Sequence, residues 1–324
     1  MKFIYFLLAA AFTMVSCNGN GERDASLVPK SVGNINSLQV VVDNELWNNE
    51  VGEAIREHFA APAYGLPQDE PMFSINQMPT NAYAGFARKY RLVLYVALAD
   101  EKTATIASDQ YAKPQKLALI KAPTEEELIA LINEEHKAII DAFTASEIEE
   151  RQRRTRIQLL ELDSLKERMG VTLEIPSAYR IARATDSFYW FRKELKSGST
   201  NVIVYEVPLG TIGQDTNVVG DIIKMRDSIG GDFLPVEDDG RFITEAAYAP
   251  YLFTTEIDDR FAYETKGTWE VMGQFMAGPF VNYAIKDEAN DRYLILEGFT
   301  YAPSEEKRNL QFELESILKS AKLQ

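Results

Sequence analysis

The chain has 324 residues, 46% of them hydrophobic and 11% aromatic, which is enough apolar material for a sizeable core. Its formal charge of −15 argues against a nucleic-acid partner and against adhesion to an anionic membrane through a basic patch, because both need clustered cations. The single cysteine excludes an intramolecular disulfide and a cysteine-based zinc site.

The first seventeen residues have the pattern of a bacterial lipoprotein signal. Lys2 precedes an apolar run over 3–15, too short for the ~20 residues that span a bilayer, and Ser16 precedes the unique Cys17. The pattern predicts a signal peptide over 1–16, lipidation of Cys17 with palmitate, and attachment to the outer membrane through that lipid. Met14 stands where Leu, Ile or Val is usual, which leaves an ordinary cleaved signal with an incidental cysteine as the alternative.

Residues 17–34 are polar and rich in glycine, which predicts a flexible tether, with the folded body beginning at Ile35. An N-terminal α/β lobe is predicted over 35–123. Its strands are expected at 38–42, 72–78, 91–98 and 115–121, the third of them central, with a helix after the first.

A helical connector is predicted over 124–169. Thr124 with Glu127 and Ser146 with Glu149 have the spacing of two capping boxes, so two helices are expected, with a break near Thr144. An apolar stripe should pack on the first lobe, while the arginine-rich stretch should form a solvated, salt-bridged face or dock an anionic envelope component. The stripe comprises Leu128, Ile132 and Ile139, and the arginines are Arg151, Arg153, Arg154 and Arg156.

A C-terminal α+β lobe is predicted over 170–324. Its strands are expected at 171–175, 179–185, 187–193 and 201–207, then a helix over 215–228, three antiparallel strands within 267–300, and a final helix from Ser304. The predicted fold class is α+β: two lobes with mainly antiparallel sheets, joined by a long two-helix segment.

Four stretches resemble a family of uncharacterised envelope lipoproteins from Bacteroidetes, known as a domain of unknown function. They are VVVDNELWNNEVGEAI at 40–55, AAPAYGLPQDEPMF at 60–73, YETKGTWEVMGQFMAGPFVNY at 263–283 and EGFTYAPSEEKR at 297–308. The resemblance implies a lipid-anchored protein of the cell envelope. It implies no activity and no catalytic residues.

Side chains that commonly perform catalysis are scarce. The two histidines, His58 and His136, lie among apolar residues at helical spacing, which favours packed or half-buried positions over metal ligands or bases. The sequence has no G-x-S-x-G elbow, Walker loop or G-x-G-x-x-G fingerprint. We therefore assign no catalytic residue, no cofactor and no metal.

Aromatic residues give the best indication of a binding surface. Three of them are consecutive on a predicted strand, so one must face away from its neighbours, and others crowd a region rich in Gly and Pro. Core packing accounts for most of them, and a minority facing a groove would suit a glycan, a peptide or a partner protein. The candidate surface residues are Trp190, Tyr248, Tyr251 and Trp269.

Two functions follow as expectations. The first is a non-catalytic binding or assembly factor of the envelope, held by its lipid near an envelope protein or glycan. The alternative is a carboxylate-based hydrolase acting on cell-wall or dietary glycan, which a cleft with two close carboxyls with raised pKa values would favour.

Overall fold

A computed structural model describes residues 28–213, 217–236 and 240–324. The signal segment, Cys17 and the first part of the predicted tether lie outside the described residues. Within the part that is described, no helix combines the length and apolar character needed to cross a bilayer.

The first lobe contains a five-stranded sheet. Its strands are β1 (Ser37–Val41), β2 (Ser74–Met78), β3 (Leu92–Leu98), β4 (Thr103–Ser108) and β5 (Lys116–Ala122), in the order β2-β1-β3-β5-β4. The first three pairings are parallel, and β4 alone runs antiparallel to its neighbour. The central position of β3 agrees with its nearly continuous apolar sequence. Strand β4 was not predicted, because the side chains of its sequence, TATIAS, are mostly small and form no strong apolar face. In the structure they are half-buried or exposed.

Three helices cover one face of this sheet: α1 (Asn44–Asn48), α2 (Glu50–Phe59) and α3 (Glu125–Thr155). The predicted stripe of α3 lies in this core, together with Val51 and Ile55 of α2. Helix α3 begins as predicted, since the Thr124 hydroxyl accepts a hydrogen bond from the Glu127 N–H at 3.3 Å.

The predicted break near Thr144 is wrong, because α3 runs without interruption for 31 residues. Ser146 is buried inside the helix, where the neighbouring N–H groups already have helical partners and need no cap. This part of α3 is buried because the adjacent Glu147 binds the first lobe. The Glu147 carboxylate accepts hydrogen bonds from the Arg91 guanidinium and from the Asn36 N–H, the latter at 2.6 Å.

The boundary predicted for the tether is also corrected. Lys30 bridges to Lys113 and Val32 bridges to Tyr90, each in parallel register. The Arg91 guanidinium donates to the carbonyl oxygens of Gly33 and Asn34 at 3.2 and 2.9 Å. Residues 30–34 therefore belong to the first lobe, because the edge of that lobe supplies partners for their backbone groups.

The second lobe follows the short helix α4 (Asp163–Met169), which ends at Gly170 in the left-handed conformation, as its sequence predicts. An eight-stranded antiparallel sheet has the order β10-β12-β13-β14-β9-β8-β7, with β11 paired to β12. Its strands are β7 (Arg180–Ala184), β8 (Phe188–Leu195), β9 (Gly198–Pro208), β10 (Phe242–Thr244), β11 (Tyr251–Ile257), β12 (Arg260–Val271), β13 (Ala277–Asp287) and β14 (Arg292–Tyr301). The small pair β6 (Val171–Thr172) and β15 (Lys322–Leu323) completes the lobe.

Helices cover both faces of the large sheet. Helix α6 (Arg308–Leu318) packs Leu314 and Ile317 on one face, and α5 (Val218–Phe233) packs Ile222 and Met225 on the other. The two sheets share no strand, so the α+β fold with two lobes and mainly antiparallel pairing is confirmed. Helix α6 starts four residues later than predicted, and the strand expected at 171–175 is reduced to two residues.

Helix α3 contacts both lobes. Near its C-terminus the Gln152 side chain donates to the Ser316 carbonyl of α6 at 2.9 Å, and Arg151 pairs with Glu313 of the same helix. Arg151 is therefore not solvated as predicted, because α6 packs against it. The other three arginines form surface ion pairs, Arg153 and Arg154 with Glu150 and Arg156 with Glu174.

Candidate functional site

A cleft of about 610 Å³ lies where the two lobes meet. The first lobe contributes the loop over 60–73 and the exposed side of α3, and the second lobe contributes β11, β12 and α6. Clefts between lobes are common positions for ligand sites, because two rigid bodies supply convergent side chains. Residues that line it from the two sides include Tyr64, His136, Asp141, Phe253, Lys266 and Arg308.

The loop over 60–73 reaches the second lobe through a close backbone approach. Gly65 has φ +77°, and a Cβ placed on it would lie 2.8 Å from the Gly267 nitrogen in β12. Glycine is required here for both reasons, the left-handed conformation and the space. The neighbouring Tyr64 is thereby held against the edge of the second lobe.

The same loop ends in an ionic latch on α6. The Glu70 carboxylate accepts hydrogen bonds from the backbone N–H groups of Lys307 and Arg308 at 2.8–3.0 Å. In return the Arg308 guanidinium donates to the Pro71 carbonyl at 2.8 Å and to the Ser74 hydroxyl at 3.1 Å. A carboxylate from one lobe thus caps a helix of the other, where the unpaired N–H groups and the helix dipole favour negative charge.

Three aromatic rings meet at this junction. The Tyr64 ring lies 4.9 Å from that of Tyr251 and 5.4 Å from that of Phe253, measured between centroids, and the last two are stacked at 6.4 Å. Tyr64 and Tyr251 remain about half exposed, at 54% and 50%. Tyr251 and Phe253 point to one face of β11, since they are two residues apart on a strand. We call these three residues the aromatic triad.

A half-buried ionic network lies beside the triad on the same face of the sheet. The Lys266 ammonium is 3.0 Å from carboxylate oxygens of both Glu264 and Glu315, and Lys319 binds Glu315 at 2.8 Å. Burial by itself would lower the pKa of Lys266. The carboxylates of Glu315 and Glu264 outweigh this effect and raise the Lys266 pKa above its usual range. Burial alone would likewise raise the pKa of Glu315, yet Lys266 and Lys319 lower it strongly. Lys266 and Glu315 therefore stay charged and paired at neutral pH.

This arrangement lacks the signature of acid catalysis. Glycoside hydrolysis needs a carboxylic acid that keeps its proton, and burial without a cationic partner is the usual way to achieve it. Among the described residues, each carboxyl with a perturbed pKa has it lowered, in Glu126, Glu150, Glu194, Asp258, Glu288 and Glu315. The cleft can hold a ligand through ring stacking and hydrogen bonds.

One histidine, His136, lines an edge of the cleft, and the other, His58, stacks on it. The His58 and His136 rings stack with centroids 3.8 Å apart and an angle of 12°, and the His58 Nε2 atom is 2.8 Å from the Asn133 side-chain oxygen. Both are half-buried, so they join α2 to α3 as packing residues. In the described part of the chain no group of three or more His, Cys, Asp or Glu residues is placed to hold a metal ion.

The four aromatic residues proposed from the sequence as a binding surface do not lie together on one surface. Trp269 is only 2% exposed and packs in the core against Phe242, with its indole N–H bonded to the Thr300 carbonyl, so its assignment to a binding surface is wrong. Trp190 is half-buried and donates to the Asn201 side chain at 3.0 Å. Tyr248 is 70% exposed outside the cleft.

Tyr251 alone among these four joins the triad, and Tyr64 and Phe253 were missed. Phe253 follows Tyr251 at strand spacing, a signal that the sequence carried. Tyr64 precedes the turn glycine in the loop over 60–73, but nothing local indicates that this loop crosses to the other lobe. The predicted lipidation at Cys17 lies outside the described residues.

Two solved structures show a remote likeness to this chain. A single-residue mutant of the protein Mog1 has a TM-score of 0.30 and 8% identity, covering 48% of this chain and 90% of its own. The Ran-binding protein Mog1p of Saccharomyces cerevisiae has the same score and identity, covering 51% and 93%. Scores this low support no inference. No curated protein matches the sequence.

Comparison with protein families divides the chain as the two lobes do. A family described as a domain of unknown function (DUF8532) matches residues 31–156, which end with α3. A second, described as a domain of unknown function (DUF4837), matches residues 158–320, half of the chain. The protein is therefore a member of the DUF4837 family, and its first lobe is similar to the DUF8532 family.

Proposed function

We propose that this protein is a non-catalytic binding protein of the bacterial cell envelope that holds a neutral glycan in the cleft between its lobes. The aromatic triad carries the proposal. Flat faces of sugar rings pack well on exposed aromatic rings, while sugar hydroxyls bond to charged and polar groups placed around them. A ligand lying on Tyr64 and Tyr251 would contact both lobes.

The charges of the cleft support a neutral ligand. In a chain with a formal charge of −15, the charged residues that line the cleft are close to balance, four cationic against three acidic. Most of them are already paired with one another, so they offer hydrogen bonds without a strong net field. The set comprises Lys137, Lys266, Arg308, Lys319, Asp141, Glu264 and Glu315.

We further propose that the chain is a lipoprotein of the outer membrane in a Bacteroidetes bacterium, anchored through Cys17. The support is the apolar run over 3–15 followed by Ser16 and the unique cysteine. A lipid anchor keeps a binding protein concentrated near an envelope glycan without a basic surface patch. Labelled palmitate should enter the wild-type protein but not Cys17→Ala, and a wild-type protein without label would contradict the anchor.

Glycan binding is tested with a panel of neutral polysaccharides and their oligosaccharides, using the purified full chain. Tyr64→Ala and Tyr251→Ala should each weaken binding at least tenfold, since each removes a ring from the triad. Tyr248→Ala is the matched control, because it removes an exposed tyrosine that makes no ring contact with the triad. Failure of every neutral glycan to bind, or equal binding by all three variants, would contradict the proposal.

The carboxylate-based hydrolase is the competing proposal, and the same panel separates the two. A binding protein leaves the glycan intact, so reducing ends should not accumulate during prolonged incubation. Release of reducing ends that is lost in Glu264→Gln or Glu315→Gln would instead support hydrolysis. The lowered carboxyl pKa values favour binding.

A further inference from the structure

A second concavity, of about 470 Å³, lies on the face of the first sheet that the helices leave uncovered. Strands β3, β4 and β5 form its floor, and the turn over 80–83, the turn over 85–89 and the loop over 109–115 form its walls. It lies on the opposite side of the first sheet from α2 and α3. Side chains alternate between the two faces along a strand, and the residues of β3 and β5 that line this pocket alternate with those that pack against the helices. We call it the tyrosine pocket.

Three tyrosines surround this pocket. The Tyr83 ring lies 6.0 Å from that of Tyr95 and 6.2 Å from that of Tyr111, measured between centroids. The rings supply flat apolar walls, with Leu117 and Leu119 on the sheet between them. Such walls suit a planar or ring-shaped ligand body.

Two cations face the same space. The Arg88 guanidinium carbon is 5.0 Å from the Tyr111 ring centroid, and the Lys121 ammonium is 5.8 Å from the Tyr95 centroid. Neither side chain has an ion-pair partner among the residues that the structure describes. No acidic side chain is among the described residues that line the pocket. Asp43, which lies close enough to act on Tyr95, accepts two hydrogen bonds from Thr80, at 2.9 Å from its N–H and 2.6 Å from its hydroxyl. Asp109 of the wall loop accepts one from the Gln115 N–H at 2.9 Å. The pocket is thus locally cationic in a strongly acidic protein.

A buried hydroxyl in the wall lacks a partner. Tyr83 is 7% exposed, and its hydroxyl oxygen makes no hydrogen bond within the described part of the chain. Burial raises the pKa of Tyr83 above its ordinary value, Tyr111 and Tyr95 add to the rise and Arg88 opposes it, so the group keeps its proton and remains a donor. An unpaired buried donor is costly, and an acceptor atom brought by a ligand would remove that cost.

From these three observations we infer that the tyrosine pocket is a binding site for a small ring-bearing oxyanion, a carboxylate or a phosphate monoester. Arg88 binds the oxyanion through its two free terminal nitrogens, Lys121 adds a second positive charge, and Tyr83 donates to one of its oxygens. The tyrosine rings pack on the body of the ligand. This site is separate from the cleft and does not depend on glycan binding there.

The test titrates the full chain with phenyl phosphate, benzoate and benzyl alcohol by calorimetry. Phenyl phosphate, benzoate or both should bind, and benzyl alcohol should bind at least tenfold more weakly because it lacks the charge. Binding of phenyl phosphate alone identifies phosphate esters as the natural class, and binding of benzoate alone identifies carboxylates. No binding of either anion at 10 mM, roughly −2.7 kcal/mol or weaker, would overturn the site.

Variants locate the binding. Arg88→Gln should weaken the anion about tenfold or more, the usual effect of losing a charge-assisted hydrogen bond. Lys121→Gln should weaken it less, and Tyr83→Phe should weaken it while leaving the fold intact, since the change removes only the unpaired hydroxyl. Arg183→Gln is the matched control, because Arg183 also lies over an aromatic ring, Phe233, but far from the pocket. Equal weakening by Arg183→Gln, or none by Arg88→Gln, would refute the assignment.

Discussion

The two lobes differ in how their sheets are covered, and this difference decides where each can bind a ligand. The second sheet has α6 on one face and α5 on the other, so its interior is closed. The first sheet is mostly parallel and has helices on one face, while the other carries the short turns over 80–83 and 85–89 and the loop over 109–115. Parallel sheets usually have both faces covered. The uncovered face holds the tyrosine pocket, whereas the second lobe offers its edge strand β11 to the cleft.

Each lobe also contains a fully buried arginine–glutamate pair, and the two pairs have different surroundings. Arg91 and Glu147 bind backbone groups of residues 33–36, so they fasten the start of the folded chain to α3. Arg226 and Glu297 bind the side chains of Thr244 and Asn282, with the guanidinium 3.4 Å above the Phe280 ring centroid. The first pair connects segments of chain, and the second fills the interface between α5 and its sheet.

The largest effect is expected from Glu147→Ala. The change leaves the Arg91 charge and the Asn36 N–H buried without their acceptor, and breaking such a pair costs about 3–5 kcal/mol. Urea unfolding should show this loss. Glu149→Ala, an exposed position two residues along the same helix, should change the free energy of unfolding by less than about 0.5 kcal/mol. A loss below about 1 kcal/mol for Glu147→Ala would show that the first pair does not fasten the lobe.

Replacing both members of a pair should have different effects on stability in the two lobes. The double variant Arg226→Met with Glu297→Leu should recover most of the roughly 3–5 kcal/mol lost in Arg226→Met alone, because apolar side chains surround the second pair. The double variant Arg91→Met with Glu147→Leu should recover little, since the backbone groups of residues 33–36 lose their partners. Equal recovery in both lobes, measured by urea unfolding, would remove the contrast.

One pH-dependent contribution to stability should come from Glu150 on α3, the helix that contacts both lobes. Burial by itself would raise the pKa of Glu150, but hydrogen bonds from Arg153 and Arg154 bring it from the usual 4.5 to about 2. A carboxyl with a lowered pKa stabilises the fold above pH 4.5, and this contribution disappears as the pH falls toward 2. We expect a loss of roughly 2 kcal/mol over that range, allowing for the exposure of both arginines.

The measurement compares urea unfolding of the wild-type chain and Glu150→Gln between pH 6 and pH 2.5. The variant should be less stable at pH 6 and should approach the wild type at pH 2.5. A constant difference between the two proteins across the range would show that Glu150 is not held in its charged form. Other lowered carboxyls, including Glu315, contribute to both proteins alike.

The smallest effect is expected at the latch that joins the lobes. Glu70→Ala removes the acceptor for the first N–H groups of α6, and loss of a helix cap typically costs ~1 kcal/mol. The melting temperature should fall by a few degrees, and proteolysis of the loop over 60–73 should become faster. Asp69→Ala, at the exposed position before it, is the control. Identical behaviour of the two variants would mean that the latch does not hold the loop.

Several elements were predictable because their signals are local. The start of α3 at the Thr124 cap, the end of α4 at Gly170 and the central strand β3 each follow from a few neighbouring residues. The stripe of Leu128, Ile132 and Ile139 correctly predicted a buried helix face. The second capping box failed because the same serine and glutamate spacing also occurs inside a long helix, where the backbone N–H groups already bond within the helix and need no cap.

The sequence by itself determined the two-lobed α+β class, because hydrophobic periodicity and turn residues act over a few positions. It also determined membership in the DUF4837 family. The tertiary structure decided which aromatic residues face solvent, burying Trp269 while joining Tyr251 to Tyr64. It also decided that Glu70 caps a helix of the other lobe and that Arg88 and Lys121 meet around one pocket. These contacts join residues far apart in the chain. The hydrophobic periodicity of a helix or strand shows which of its faces is buried, but not which face of a distant element packs against it.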